Sequence, residues 1–265
     1  MSIRRLLRGN VPDDVVEDIA ADVSGRYGES VTSVELLDAD NWLSTPCVVN
    51  EQWFVKIITA QNTLVHGLLT TGRNLGVFSS GTEGFFERFG TPVGMAEHEL
   101  EATRRMRELG VNAPEPLEAF EHDGYGVVVL EYVPNFATLD HLSTETVEGV
   151  APDLFEALAR MHEAGLAHGD LRAENVLVVD GDLYFIDATK VRENAIEEAR
   201  AYDVACALAA LEPLVGARAT VDAAAGSYDD ATLIEADSYL DFVSVRPDHD
   251  FDTVAVKGYI SNVVG

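Results

Sequence analysis

The stretch that decides the reading is "LAHGDLRAENVLVVDGDLYFIDATKV", Leu166 to Val191. Val176–Val179 and Leu183–Ile186 are short β-type runs, and Asp180-Gly181-Asp182 between them is a tight-turn signal. Folding about Gly181 predicts Asn175 opposite Asp187 at the open end of a hairpin, with Asp170 entering on the loop just before. Three oxygen-bearing side chains, with neither Cys nor a metal-spaced His set beside them, suit a hard cation held partly by substrate phosphates, as Mg²⁺ usually is. Each of the three alone would read as a turn cap; their joint spacing points to metal ligands plus a base.

Working outward, the flanking segments divide in character near Val133-Pro134-Asn135. Upstream, Val15, Val16, Ile19, Val23 and Tyr27 recur at helical spacing after a Pro12-Asp13 start signal, an amphipathic helix within residues 1–30. "SVELLDADNWLSTPCVVNEQWFVKII" from Ser33 then reads as two or three antiparallel strands. Residues 59–94 are rich in Gly, Thr and Ser and read as a long insertion. Thr91-Pro92 opens a helix that ends at Gly110, with Leu100, Thr103, Met106 and Leu109 on one face. Leu117–Glu121 and Gly126–Tyr132 form a hairpin about Asp123-Gly124. Downstream, Val147, Val150, Leu154, Leu158 and Met161 mark a helix that Pro152 must kink or restart. A further helix spans about Ile196 to Val215. The expected fold class is α+β and bilobal: a helix over 1–30, a β-rich unit over 31–133 and a mostly helical one over 134–265.

The 265 residues are 47% hydrophobic, enough for a substantial core. Forty-six acidic residues against eighteen basic ones give a net charge of −28. The acids run from Asp13 to Asp252 without forming a tail. At about 1 M salt the screening length falls to about 3 Å, so a surface this acidic stays compact and hydrated there. The expectation is a high-salt-adapted microbe's cytoplasm. The charge argues against direct nucleic-acid or anionic-membrane binding, both of which need clustered cations. Cys47 and Cys206 make no CxxC or metal set and read as buried free thiols. Neither a leader h-region nor an apolar stretch of about 18 residues is apparent, so no membrane span is expected.

"HGDLRAENVLV" resembles the catalytic loop of the protein-kinase-like superfamily, where Asn follows Asp by five positions, and "YFID" resembles the metal-binding strand end after it. "WFVKI" supplies the strand lysine, Lys56, one of three lysines in the chain. "ELEATRRMRELGVNAPEP" resembles the helix-to-strand segment of RIO and aminoglycoside-kinase-like families. There Glu101 is the expected partner of Lys56, with Glu97 one turn earlier as the fallback. No G-x-G-x-x-G precedes Lys56, Ala188-Thr189 stands where Phe-Gly would follow Asp187, and His-Gly-Asp replaces His-Arg-Asp. These departures point to compact RIO-type atypical serine/threonine kinases, with aminoglycoside- and choline-kinase-like families also similar.

The resemblance implies an ATP-dependent phosphotransferase using Mg²⁺, or Mn²⁺, on a protein or small-alcohol phosphoacceptor. A slow ATPase or nucleotide-switched binding module is the non-transferring alternative. Asp170 would orient the attacking hydroxyl, Asn175 and Asp187 would hold the metal, and Lys56, steadied by Glu101, would contact the α/β-phosphates. Backbone groups of Glu131 and Val133 would take the adenine edge. Asn41, Ser44 and Thr45 would cover the phosphates, His168 would orient the loop, and Asp203 in "AYDVACAL" would brace it.

Overall fold

The structure, a computed structural model, describes residues 11–37, 44–63, 90–188, 196–246 and 249–265. It divides into two compact units, one holding described residues up to 63 with 90–104 and 114–134, the other 105–113 with residues from 135 onward.

Unit 1 is an antiparallel sheet clad by a helix on each face. Its strands are β1 (Val34–Leu36), β2 (Thr45–Val49), β3 (Trp53–Ile58), β4 (Pro116–His122) and β5 (Tyr125–Glu131). They stand in the order β1-β2-β3-β5-β4. Alternation along β3 separates the two faces, because successive strand side chains point to opposite sides. Val55 and Ile57, with Cys47, Val49, Val127 and Val129, bury against Val16, Ile19, Ala20 and Val23 of helix α1 (Asp13–Arg26). Phe54 and Ile58, with Val128 and Leu130, pack on Met95, Ala96 and Leu100 of helix α2 (Pro92–Glu108). Lys56 belongs to this second face. The approach of α2 to β5 requires Gly126, where an added Cβ would lie 2.2 Å from the Pro92 carbonyl oxygen.

Unit 2 is mostly helical. Helix α3 (Thr144–Glu163) starts on the Ser143 hydroxyl, which accepts from the Thr146 N–H at 3.2 Å. Pro152 stands inside this single helix, not at a restart. A small sheet, β6 (Ala137–Thr138), β7 (Val176–Val179) and β8 (Asp182–Phe185), carries the opening hairpin. Helix α4 (Ile196–Ala225) extends ten residues past the expected end and breaks at Gly216, whose φ of 81° is left-handed. By length and composition α4 is apolar enough to cross a membrane, which the sequence reading did not expect. Tyr202, Val204, Leu208 and Leu211 along it are buried in unit 2, as a core helix requires. Helices α5 (Asp230–Ser244) and α6 (Thr253–Val263) complete the unit. Their N-caps Asp229 and Asp252 accept from Thr232 and Ala255 N–H groups at 2.9 Å each.

Candidate functional site

In unit 1, Lys56 Nζ lies 2.5 Å from Glu99 Oε1, and the lysine is 3% exposed. The expected partner, Glu101, instead pairs with Arg104 at 2.6 Å on the solvent side of α2, two-thirds exposed. Glu97, the fallback, is not the partner either. The reason is helical phase. At about 100° per residue, Glu99 shares the inward face with Met95, Ala96, Thr103 and Met106, whereas Glu101 is rotated some 200° from it. That buried set was legible in the sequence and would have selected Glu99. Glu99→Gln removes a carboxylate from the buried Lys56 ammonium and is expected to lower the melting temperature by several degrees, and Glu101→Gln to leave it within about 1 °C, in thermal unfolding followed by circular dichroism.

Thr45, expected over the phosphates, pairs with Ile57 and shares its sheet face with Cys47 and Val49. Strand alternation therefore places it on the face opposite Lys56, which removes it from the phosphate set. Ser44, one residue earlier, is buried at 3% exposure. Asn41 and most of the 59–94 insertion lie outside the described residues. At the end of β5 the Glu131 N–H donates to Glu115 O at 2.9 Å and the Tyr132 N–H to Gln52 O at 2.8 Å. The N–H of half-buried Val133 meets no acceptor among the described residues. Of the two positions expected at the adenine edge, Glu131 thus has only its carbonyl to offer and Val133 has its donor.

In unit 2, the hairpin turns on two residues, Asp180 (φ 53°) and Gly181 (φ 95°), so the register runs Val179↔Asp182 to Val176↔Phe185. Asn175 is therefore opposite Ile186, whose N–H donates to Asn175 O at 3.1 Å, and not opposite Asp187. The expectation counted Asp182 into the turn and slipped the pairing by one residue. Asn175 reaches the loop by its side chain: Nδ2 donates to Asp170 O at 2.8 Å, and its Oδ1 takes no donor among the described residues. Asp187 stands at φ 64°, a conformation uncommon outside Gly, Asn and Asp.

Asp203, fully buried on α4, clamps the loop. Its carboxylate accepts from the His168 N–H at 2.5 Å, the Gly169 N–H at 2.7 Å and His162 Nε2 at 3.1 Å. Burial pushes the Tyr228 hydroxyl pKa upward, and that hydroxyl lies 2.8 Å from His162 Nδ1; on the other side of the ring the Asp203 carboxylate can only accept, so Nε2 is the donor to it. His162 thus carries its proton on Nε2. Burial also pushes the His168 imidazole below its ordinary value, against the opposing charges of Asp203, Asp170 and Asp187. A neutral His168 donates from Nε2 to Ile186 O at 2.9 Å and accepts the Asp170 N–H on Nδ1 at 3.4 Å. The ring so ties the loop to the strand end that carries Asp187.

Asp170 itself is ion-paired. Arg246 Nη2 donates to its Oδ1 at 2.6 Å, and Arg172 Nε lies 3.6 Å from Oδ2. Sequence reasoning missed Arg246, which is 76 residues downstream in a weakly patterned segment. Both thiols are buried and pushed up to about 12, chiefly by burial, which keeps them protonated near neutral pH.

Among the described residues no group of three or more His, Cys, Asp or Glu could hold a metal by itself. The donor set nevertheless fits a divalent hard cation whose other ligands are phosphate oxygens and water. It offers the Asp187 carboxylate and an amide oxygen, Asn175 Oδ1, whose nitrogen is already committed.

Residues 91–218 match the RIO domain family, a span covering α2, the hairpin, the loop and the first part of α4. The KEOPS complex subunit Bud32 of Pyrococcus abyssi is 34% identical over 93 residues, 34% of this chain and 41% of that protein. The chain thus spans under half the length of that relative. The 3-deoxy-D-manno-octulosonic acid kinase of Vibrio parahaemolyticus is 27% identical over 178 residues, 61% of this chain and 71% of that one. The Rio2 kinase–ADP/Mg²⁺–phosphoaspartate complex from Chaetomium thermophilum superposes with a TM-score of 0.50 at 16% identity, covering 94% of this chain and 76% of that one. At that identity the likeness shows a protein-kinase-like fold.

Proposed function

We propose that this chain, which matches the RIO domain family over residues 91–218 and shares the protein-kinase-like fold of Rio2 kinase, transfers the γ-phosphoryl group of ATP to a hydroxyl acceptor. The observation that carries this reading is the buried Lys56–Glu99 ion pair. In kinases a strand lysine pinned by a helix glutamate meets the α/β-phosphates, and a lysine kept from solvent is held in one geometry. Asn175 Oδ1 and Asp187 would hold Mg²⁺, which when bound neutralises charge on the phosphate oxygens. Mn²⁺ has the same ligand preference. The Val133 N–H and Glu131 carbonyl would take the adenine edge, and the Asp170 carboxylate would accept the acceptor's hydroxyl hydrogen and set its line of attack. Little covalent chemistry falls to the protein in such a reaction, so placed charge is the main requirement.

The RIO match supports a protein hydroxyl as the acceptor. A sugar-hydroxyl acceptor is the second reading, favoured by the 71% coverage of the octulosonic acid kinase. Acids spread along the chain favour work at high salt, so the assay belongs in about 1 M KCl. Incubation with γ-labelled Mg-ATP, with and without a panel of sugars and amino alcohols, separates the readings. Label on protein supports the first, and label on a small alcohol supports the second. Phosphate release to water alone, with no labelled acceptor, would make the chain an ATPase and overturn both.

A further inference from the structure

Arg246 follows α5 directly and is 9% exposed. Its guanidinium is held at more than one point. Nη2 donates to Asp170 Oδ1 at 2.6 Å, while Nη1 donates to the Tyr202 hydroxyl and lies 3.8 Å from Cys206 Sγ. Tyr202 is fully buried and held edge-on by Tyr239, with ring centroids 6.2 Å apart at 84°. Tyr202 also precedes Asp203, the residue that holds the loop's backbone N–H groups. Helix α4 therefore grips the loop twice, through Asp203 on its backbone and through Tyr202 and Arg246 on the Asp170 side chain.

We propose that Arg246 is a positioning residue for phosphoryl transfer, holding Asp170 in the rotamer that aligns the attacking hydroxyl. The proposal rests on the reading of Asp170 given above. A buried ion pair is a poor source of stability, because desolvating two charges offsets most of their attraction. Its advantage is geometric: a planar fork with several donors fixes a carboxylate where a lone lysine ammonium would not. The same contact also joins the C-terminal helices α5 and α6 to the loop's chemistry.

The test is steady-state turnover of Mg-ATP in about 1 M KCl, followed by phosphate release and label transfer, with folding checked by circular dichroism. Arg246→Met keeps the stem and removes the fork. It is expected to lower kcat about 10- to 100-fold with the KM for Mg-ATP within about twofold, since an ångström of misplacement costs about that much. Arg246→Lys is expected to recover part of the loss, as charge returns without the second donor. A folded Met variant with wild-type or faster kcat overturns the proposal; a faster one would make Arg246 a latch. A loss confined to KM, or a Lys variant no better than Met, also overturns it. Should the Met variant fail to fold, Tyr202→Phe removes only the hydroxyl that anchors Nη1, and an unchanged kcat there counts against the proposal equally. A wild-type chain that turns over no Mg-ATP sinks the kinase reading and this role together, whereas an active wild type with an equally active Met variant sinks this role alone.

Discussion

Asp187→Asn is expected to reduce Mg-ATP turnover by about 10³-fold while shifting the melting temperature by no more than about 3 °C. The two halves of that result have separate causes. On the proposed metal role of Asp187, turnover falls because a metal against developing phosphate charge is worth several kcal/mol, and an amide in place of the carboxylate removes the one full negative charge in that proposed donor set. Stability holds because Asp187 sits at φ 64° and Asn tolerates that left-handed conformation almost as well as Asp. Asp187→Ala would add a backbone cost of about 1–2 kcal/mol and mix the two effects. Phosphate release and differential scanning calorimetry, both at high salt, measure the two halves independently. A variant that keeps its turnover would remove Asp187 from the metal site.

Asp203→Ala is expected to act in the opposite sense, on stability first. It strands three donors at once: the His168 and Gly169 N–H groups and His162 Nε2. Removing one side of such a buried, charge-assisted set costs about 3–5 kcal/mol, a large part of the 5–15 kcal/mol that stabilises a typical domain. For a chain of this size that corresponds to a fall of roughly 10 °C in the melting temperature of unit 2. Asp203→Asn keeps one acceptor oxygen for these N–H donors and turns its own amide N–H toward the rest, so it is expected to lie between Ala and wild type. Thermal unfolding monitored by circular dichroism decides the point. A melting temperature within about 2 °C of wild type would mean that the loop is held by something else. Turnover should fall in step, because Asp170 and Asn175 hang from the backbone that Asp203 pins.

Strands and helices with a strong period were readable. The 116–131 hairpin, α1, α2 and α3 all follow from local spacing and turn chemistry, the Asp123-Gly124 turn with φ of 47° and 86° among them. Where the reading slipped, it slipped by a phase. Counting a three-residue turn instead of two moved Asn175 from Ile186 to Asp187, and choosing Glu101 over Glu99 ignored which face of α2 its apolar neighbours had already claimed. Both errors were correctable from the sequence, since strand pairing has a period of two and helix faces a period of 3.6. The kinase-like loop itself was legible because its spacing is local: Asp170 to Asn175 is one loop and one 3₁₀ turn, and the Nδ2 bond from one to the other closes within five residues.

Arg246 belongs to a different category. The segments carrying Asp170 and Arg246 are 76 residues apart, and nothing in the composition of either names the other. Their meeting depends on how α4 and α5 pack, with Tyr202 against Tyr239 and Phe242, and helix packing is a property of whole faces that no short pattern encodes. The same holds for the relay from Tyr228 through His162 to Asp203. The amino-acid order thus determined which chemistry the loop can carry and which elements bear it, because turns, caps and periods act over a few residues. Only the packed structure decided which cations and donors hold those groups in place, because burial brings distant charges together and then forbids them to remain unpaired.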